Sequence, residues 1–168
     1  MKQNSSIVRL AISMFALFLS ASLMAQTTKP TDKDLIGVWV MESLQLEGQK
    51  PMATYGDYSS IKVYRADGEY ACAQVYDDGK EIYISAHEYG TYSFKNGKYI
   101  ECGRNGSLVM KDKTHFEGQW QTRHETWRKV TNMPAKLVDY VVDKCKRQNE
   151  PKDIQALAKQ YILSKPKK

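Results

Sequence analysis

Apolar and polar residues alternate with a period of two through most of the stretch from Ser59 to Val130. This alternation is typical of β-strands whose two faces lie in different environments. Three dipeptides that favour the positive φ angles of type I′ hairpin turns interrupt it: Asp67-Gly68, Asn96-Gly97 and Asn105-Gly106. The stretch is therefore predicted to form an antiparallel meander of short strands.

Each turn also fixes which residues face one another across its hairpin. We count back from Asn96-Gly97 and, in the last hairpin, from Gln121-Thr122, and each count gives a face rich in aromatic residues. The first face holds Tyr92, Phe94, Tyr99 and Glu101, and the second holds Phe116, Trp120, Arg123, Glu125 and Trp127. One aromatic face and one polar face are expected where a sheet closes around an interior or packs on a second layer.

The same count across Asp67-Gly68 places Ala66 opposite Glu69. One face then carries Ile61, Val63, Arg65, Tyr70, Cys72 and Gln74, and the other carries Lys62, Ala71 and Ala73. A turn at Asn105-Gly106 would place Met110 opposite Glu101 and Leu108 opposite Gly103. On this register Lys62 lies outside the aromatic face.

Three further segments complete the β-rich part of the chain. Leu35 to Leu46 is apolar on both faces at its start, which predicts a long first strand that is covered on both sides. Glu47 to Asp57 is predicted to be a loop, of the kind that often carries binding edges. Glu81 to Phe94 is too long for one regular strand, so we expect a break near His87 and Gly90.

The periodicity becomes helical after Pro134. Two amphipathic helices are predicted, the first beginning near Pro134 and the second near Pro151. Their apolar stripes are Leu137, Val138, Val141 and Cys145 in the first, and Ile154, Leu157, Ala158, Tyr161 and Ile162 in the second. Each helix is too short to be stable alone in water, so we expect it to dock on the outside of the sheet or on the other helix. Self-association and attachment to a membrane surface are the alternatives.

The N-terminus has the features of an export signal. Lys2 and Arg9 precede an apolar run, Leu10 to Leu19, and small residues before Gln26 suit cleavage. The run is far shorter than the ~20 residues of a membrane span. We therefore divide the chain into a signal peptide (1–25), a flexible lead-in (26–34), a β-sheet domain (35–133) and a two-helix extension (134–168). The protein is expected to be exported, either periplasmic or secreted.

Charge is unevenly distributed along the chain. There are 25 Lys and Arg residues against 19 Asp and Glu, which gives a formal net charge of +6. Nine of the basic residues but only four of the acidic residues follow Pro134, so the body is close to neutral. A neutral body without an Arg-rich groove or an RNA-recognition motif argues against a nucleic-acid partner. We also expect no integral membrane span.

The chain has three cysteines, Cys72, Cys102 and Cys145. A scaffold held together by disulfides usually has a larger and even number of cysteines. The hairpin register places Cys72 and Cys102 on opposite faces, whereas a bridge from Cys102 to Cys145 stays open if the helices pack outside. Neither a zinc-binding spacing nor a Gly-x-Ser-x-Gly motif is present in the sequence. We therefore expect no metal, no cofactor and no catalytic residue.

Five short motifs follow one another between Leu35 and Val130. They are Gly37-Val38-Trp39, Asp67-Gly68-Glu69-Tyr70, Gly90-Thr91-Tyr92, Tyr99-Ile100-Glu101 and Glu125-Thr126-Trp127. Their order resembles the lipocalin-like, or calycin, barrels, and more narrowly a lipocalin-like family of unknown function exported by Bacteroidetes. The resemblance implies an all-β, antiparallel up-and-down lipocalin-like β-barrel of about eight or nine strands. It also implies that Arg128 packs across Trp39 and closes one end of the barrel, which is a structural role.

If the aromatic faces point inward, polar and aromatic side chains converge in the barrel. The predicted ligand-binding set is Tyr70, Tyr92, Tyr99, Glu101, Arg123, Glu125 and Trp127. Because a buried charge needs a partner, these groups either bind a small polar or amphipathic molecule, or a carboxylate pairs with an Arg and plugs the barrel.

The leading hypothesis is thus an exported barrel that binds a small ligand in its interior. The alternative is a filled barrel that contacts another envelope protein through its helices or the Glu47 to Asp57 loop. Facing carboxylates could also serve glycoside hydrolysis, but a lining of Tyr and Trp suits passive binding equally well. We therefore predict a protein that is not an enzyme.

Overall fold

The computed structural model describes residues 30–53, 58–95, 97–145 and 151–164. The segment interpreted as a signal peptide and the turn residue Asn96 lie outside the described residues. The strands are β1 (Gly37–Leu46), β2 (Met52–Ala53), β3 (Tyr58–Tyr64), β4 (Glu69–Asp77), β5 (Ile82–Lys95), β6 (Lys98–Glu101), β7 (Arg104–Met110), β8 (His115–Trp120) and β9 (Arg123–Val130). The helices are α1 (Asp32–Leu35), α2 (Ala135–Lys144) and α3 (Lys152–Tyr161).

The strands form one closed antiparallel barrel. They pair in the order β2-β1-β3-β4-β5-β6-β7-β8-β9, and β1 also pairs with β9. Eight strands therefore close the barrel, and the short β2 is added beside β1. The prediction of an up-and-down lipocalin-like barrel followed by two helices is confirmed.

The end of the barrel at which β1 begins, here the closed end, is covered by α1. Leu35 is fully buried, and its carbonyl accepts a hydrogen bond of 2.7 Å from Nε1 of Trp39. Residues 32–34, expected to be a flexible lead-in, are part of this helix, and the first strand begins at Gly37.

Lys129, and not Arg128, packs across Trp39 at the closed end. Side chains alternate along β9, so Trp127 and Lys129 point inward, whereas Arg128 points outward and pairs with Glu42 at 3.2 Å. The ammonium group of Lys129 lies 5.2 Å from the centre of the Trp39 ring. The expected cation contact therefore exists, but the prediction of Arg128 is wrong by one residue.

The turn between β3 and β4 also differs from the prediction by one residue. The amide of Arg65 donates to the carbonyl of Glu69 (2.9 Å), so the loop has three residues and ends at Gly68, which has a φ of +87°. Lys62 consequently faces Cys72 and points inward. Ile61 and Val63 point outward, which is the reverse of the prediction.

The turn between β6 and β7 lies at Cys102-Gly103 and not at Asn105-Gly106. Both turn residues have positive φ, 49° and 77°, as a type I′ turn requires. Gly106 lies within β7, where a Cβ atom would come within 2.7 Å of the Trp120 ring. Gly106 is therefore explained by the packing of Trp120.

The other two predicted hairpins are confirmed. Tyr92 faces Glu101 and Phe94 faces Tyr99 across the turn that contains Gly97. Trp120 faces Arg123 and Phe116 faces Trp127 across Gln121-Thr122. The predicted break in β5 is also present, as a shift in register at His87.

The two helices cover one outer face of the barrel. Leu137 and Val141 of α2 and Ile154 and Ala158 of α3 are buried there. They pack on an outer core formed by Val38, Val40, Ile61, Val63, Ala71, Ala73, Val75, Ile82 and Ile84. Docking on the outside of the barrel, the first of the alternatives, is thus observed. No helix in the described part of the chain is long and apolar enough to cross a membrane.

Candidate functional site

A buried lysine stands at the centre of the barrel. Lys62, which is 3% exposed, places its Nζ atom 3.0 Å from each carboxylate oxygen of Glu101 and 3.7 Å from Oε2 of Glu125. Burial lowers the pKa of Lys62, but the two carboxylates outweigh this effect and raise it overall. Lys62 therefore carries a positive charge inside the barrel at neutral pH.

Arg123 balances the second carboxylate. Its Nε atom lies 2.8 Å from Oε1 of Glu125, and Nε1 of Trp127 donates to the other carboxylate oxygen at 2.9 Å. Two cations and two carboxylates thus form a group of four with no net charge, here called the charge cluster: Lys62, Arg123, Glu101 and Glu125. Such pairing offsets the desolvation penalty of burying ionised groups.

Aromatic rings surround the charge cluster. The ammonium group of Lys62 lies 4.7 Å from the ring centre of Trp127, 5.2 Å from that of Trp120 and 5.7 Å from that of Tyr70. A cation near the faces of aromatic rings is attracted by their quadrupoles. These contacts add to the ion pairs that hold Lys62 in place.

Two tyrosines orient Glu101 from the closed end. Tyr64 and Tyr99 both donate to Oε1 of Glu101, at 3.0 Å and 2.5 Å, and their own hydroxyl oxygens are 2.6 Å apart. Burial raises the pKa of each well above 10, and the negative charge of Glu101 raises it further. Both tyrosines therefore remain neutral donors to Glu101.

The interior beside the charge cluster is nearly filled. The chamber lined by Lys62, Glu101, Glu125, Tyr70 and Trp127 has a volume of about 40 Å³. This volume accommodates a water molecule or two, whereas sites for small ligands typically have about 300–1,000 Å³.

A larger pocket lies directly above the chamber, at the end opposite α1, here the open end. Its volume is about 530 Å³, and its lining is Glu101, Gly103, Arg104, Asn105, Trp120, Gln121, Thr122 and Arg123. We call it the mouth pocket. Glu101 and Arg123 belong to both spaces, so these two residues of the charge cluster form the floor of the mouth pocket. Arg104 at its rim pairs with Glu88 of β5.

Most of the predicted ligand-binding residues converge. Tyr70, Tyr99, Glu101, Glu125 and Trp127 surround Lys62, and Arg123 connects them to the mouth pocket. Tyr92 lies apart from this group, because its hydroxyl donates to the carbonyl of Arg65 at the closed end (2.9 Å).

Three polar residues of the site were misplaced or missed. Lys62 was assigned to the outer face, and Arg65, expected inside, pairs with Glu69 and Asp139 at the closed end. Arg104 was not recognised, because the predicted turn at Asn105-Gly106 gave it no defined face. Arg104 reaches Glu88 because the turn lies at Cys102-Gly103. Cysteine rarely adopts the positive φ that this turn requires, so the sequence does not indicate a turn there.

No family model matches the chain, and no curated protein is significantly similar to it. The resemblance to a family exported by Bacteroidetes therefore stays a prediction. The barrel fold is consistent with a binding protein, and the absence of catalysis stays a prediction. In the described part of the chain, no three His, Cys, Asp or Glu side chains are grouped to hold a metal ion.

The cysteines lie in three different places. Cys72 is buried inside the barrel, with the Tyr70 hydroxyl as its polar neighbour. The thiol of Cys145 lies 3.6 Å from the carbonyl of Cys72, on the helix-covered side, and the thiol of Cys102 packs over Gly90. Cys102 and Cys145 both belong to the described part of the chain, and no disulfide joins them.

Stability is expected to decrease above pH 9. Burial raises the pKa of Cys72 from 9.0 to about 12, so between these values the unfolded chain loses a proton that the folded chain keeps. This contribution is fully present below pH 9 and falls by about 1.4 kcal/mol for each pH unit above it. Denaturant unfolding at pH 8 to 9.5 measures the slope, below the range of about pH 10 in which tyrosines of the unfolded chain lose their protons. Cys72→Ala should reduce the slope and leave the part due to Cys102, whose pKa burial raises to about 11. An equally steep slope in that variant would contradict the assignment.

Proposed function

We propose that the protein is an exported barrel that binds a small polar or amphipathic molecule at its open end and catalyses no reaction. The observation that carries the proposal is the mouth pocket, whose volume of about 530 Å³ lies in the range of small-molecule sites. Because the chamber beneath it has room only for water, we place the ligand above the charge cluster and not below it.

The floor of the mouth pocket supports this proposal. Glu101 is held by Lys62 and two tyrosines, and Arg123 pairs with Glu125, so the floor is rigid before any ligand arrives. A site fixed in advance loses less conformational entropy when it binds. The export signal predicted from the N-terminus supports a function in the periplasm or outside the cell.

Arg123 is the residue of the charge cluster best placed to meet a ligand. Its side chain is 43% exposed and its Nε atom is committed to Glu125. The terminal amino groups of a guanidinium point away from Nε and can donate to a carboxylate, phosphate or carbonyl oxygen. Trp120 lies on the same wall and supplies apolar surface.

The nearly filled chamber favours a second candidate function, an interaction module for another protein of the cell envelope. The apolar stripes of α2 and α3 are already buried against the barrel, so such a partner would contact the loops of the open end. Under this alternative the purified protein would carry no small molecule.

Arg123→Gln is expected to weaken ligand binding about tenfold to a hundredfold, because a hydrogen bond to a charged group is worth about 1.5–3 kcal/mol. Mass spectrometry of molecules released from the purified protein would identify the ligand, and thermal-shift titration would give its affinity, since a ligand of the native state raises the melting temperature. Arg128→Gln is the matched control, because Arg128 lies on the same strand but points outward to Glu42. Equal affinity in the two variants, or a protein without any bound molecule, would contradict the proposal.

A further inference from the structure

A row of aromatic rings lies at the open end, outside the mouth pocket. Tyr58, Tyr76 and Tyr83 stand directly opposite one another on β3, β4 and β5. Tyr76 and Tyr83 are 38% and 42% exposed, and the rings of Tyr58 and Tyr76 are 5.2 Å apart. We call these three residues the tyrosine row. Large aromatic side chains that stay exposed next to one another often mark a binding surface.

The alternation of side chains shows which face carries the row. Val75, next to Tyr76, and both Ile82 and Ile84, which flank Tyr83, are buried in the outer core beneath the helices. Tyr76 and Tyr83 therefore point to the opposite, concave face of the sheet. Neighbouring strands are about 4.8 Å apart, so the row is about 10 Å long, which is about the length of two linked sugar rings.

Local hydrogen bonds hold the rings in place. The hydroxyl of Tyr76 donates to Oε1 of Gln74 at 2.5 Å, that of Tyr58 lies 3.4 Å from the hydroxyl of Ser60, and that of Tyr83 bonds Glu81. The hydroxyls are thus directed to the protein, and the ring faces are left for a ligand. Rings fixed in this way stack on a flat partner with little further loss of entropy.

The next row toward the interior is polar and uncharged. Ser60, Gln74 and Ser85 lie directly opposite one another on the same three strands and the same face. Hydroxyl and amide groups both donate and accept hydrogen bonds, as sugar hydroxyls do. A ligand that covers both rows would meet aromatic faces at the rim and hydrogen-bonding groups one step inside.

The charge around the row disfavours anionic ligands. Asp77 ends β4, and Asp78, Lys80 and Glu81 belong to the turn that follows, so three acidic residues and one basic residue lie next to Tyr76 and Tyr83. Of the three acidic residues, Asp77 pairs with a lysine of the described part of the chain, Lys159 at 3.2 Å. Stacked bases of a nucleic acid would bring phosphates to this acidic turn, where like charges repel.

We propose that the tyrosine row binds a neutral, hydroxyl-rich ring ligand, namely a saccharide of at least two units. The C–H faces of two sugar rings stack on Tyr76 and Tyr83, and their hydroxyls meet Gln74 and Ser85. This site shares no residue with the lining of the mouth pocket, so its test is independent of the function proposed above.

Saturation-transfer difference NMR with maltose, cellobiose and their tetrasaccharides tests the proposal. At least one probe should receive saturation at its ring C–H protons, with a dissociation constant of the order of 1 mM, which corresponds to about −4 kcal/mol. Tyr76→Ala and Tyr83→Ala should each weaken binding about tenfold, in line with the energy of an aromatic contact. Both side chains are largely exposed, so the variants are expected to fold, and thermal unfolding checks this.

Tyr89→Ala is the matched control. Tyr89 is 43% exposed on the same strand but lies opposite Ala71, on the outer face. This variant should bind the sugar as the parent does. The proposal is overturned if no probe receives saturation, if Tyr89→Ala loses as much affinity as Tyr76→Ala, or if a short oligothymidylate binds the row in place of the sugars.

Discussion

Replacing Lys62 with Met should lower the free energy of unfolding by about 3–5 kcal/mol, which is the usual result of leaving a buried charge without its partner. Glu101 is 2% exposed and loses an ion pair of 3.0 Å to both of its oxygens. Total stabilities of small domains are about 5–15 kcal/mol, so this loss would bring the protein close to unfolding. Guanidinium unfolding at pH 7, followed by tryptophan fluorescence, measures it.

The double variant Lys62→Met/Glu101→Gln separates charge from shape. It removes one positive and one negative charge and leaves the pair of Arg123 with Glu125 in place. Replacing both members of a buried pair with neutral groups of similar volume is often nearly neutral, so most of the lost stability should return. If the double variant is no more stable than Lys62→Met, shape and not charge accounts for the loss. Lys98→Met, at an exposed position of β6, should change stability by less than about 0.5 kcal/mol.

The inward position of Lys62 could not be predicted from Asp67-Gly68 alone, because this dipeptide suits two kinds of hairpin. It can form a two-residue type I′ turn, or the last two positions of a three-residue loop in which glycine alone has positive φ. The structure has the second kind, with Asp67 accepting a hydrogen bond from the amide of Glu69. A shift of one residue in the register exchanges the two faces of a strand. Lys62 therefore lies in the centre of the barrel and not on its surface, where the two-residue turn would place it.

The turn at Cys102-Gly103 was missed because of a contact that is distant in sequence. Gly106 follows Asn105 as it would in a type I′ turn, yet its role is to leave room for the ring of Trp120 on a neighbouring part of the barrel. Such packing has no local signature. The consequence for the site is Arg104, which the actual turn brings to Glu88 and to the rim of the mouth pocket.

In the two hairpins whose turns were predicted correctly, the residues that point into the barrel were also predicted correctly. The hairpins at Gly97 and at Gln121-Thr122 have two-residue loops, so counting back from them placed Tyr99, Glu101, Glu125 and Trp127 inside. The aromatic and acidic parts of the site were thus predictable from period and turn type. The positions of Lys62 and of Arg104 depend on loop length and tertiary packing, which the alternation of apolar and polar residues does not encode.

Leu137→Ala should destabilise the protein by about 2–5 kcal/mol, the range for removing a large side chain from a well-packed core. Leu137 is fully buried in the interface between α2 and the outer core of the barrel. Denaturant unfolding measures the loss. Lys152→Ala, at an exposed position of α3, is the control and should lie within about 0.5 kcal/mol of the parent.

Hydrogen exchange of Leu137→Ala tests whether the helices can expose a second surface for a protein partner, besides the loops of the open end. If the helices and the barrel unfold together, exchange should accelerate in α2, α3 and the strands alike. If exchange accelerates in the helices alone, they detach from an intact barrel, and detachment uncovers the apolar patch of Val38, Val40 and Val63. An uncovered patch of that kind is what a protein partner would bind. Cooperative loss would instead show that the helices belong permanently to the fold, which leaves the open end as the surface for function.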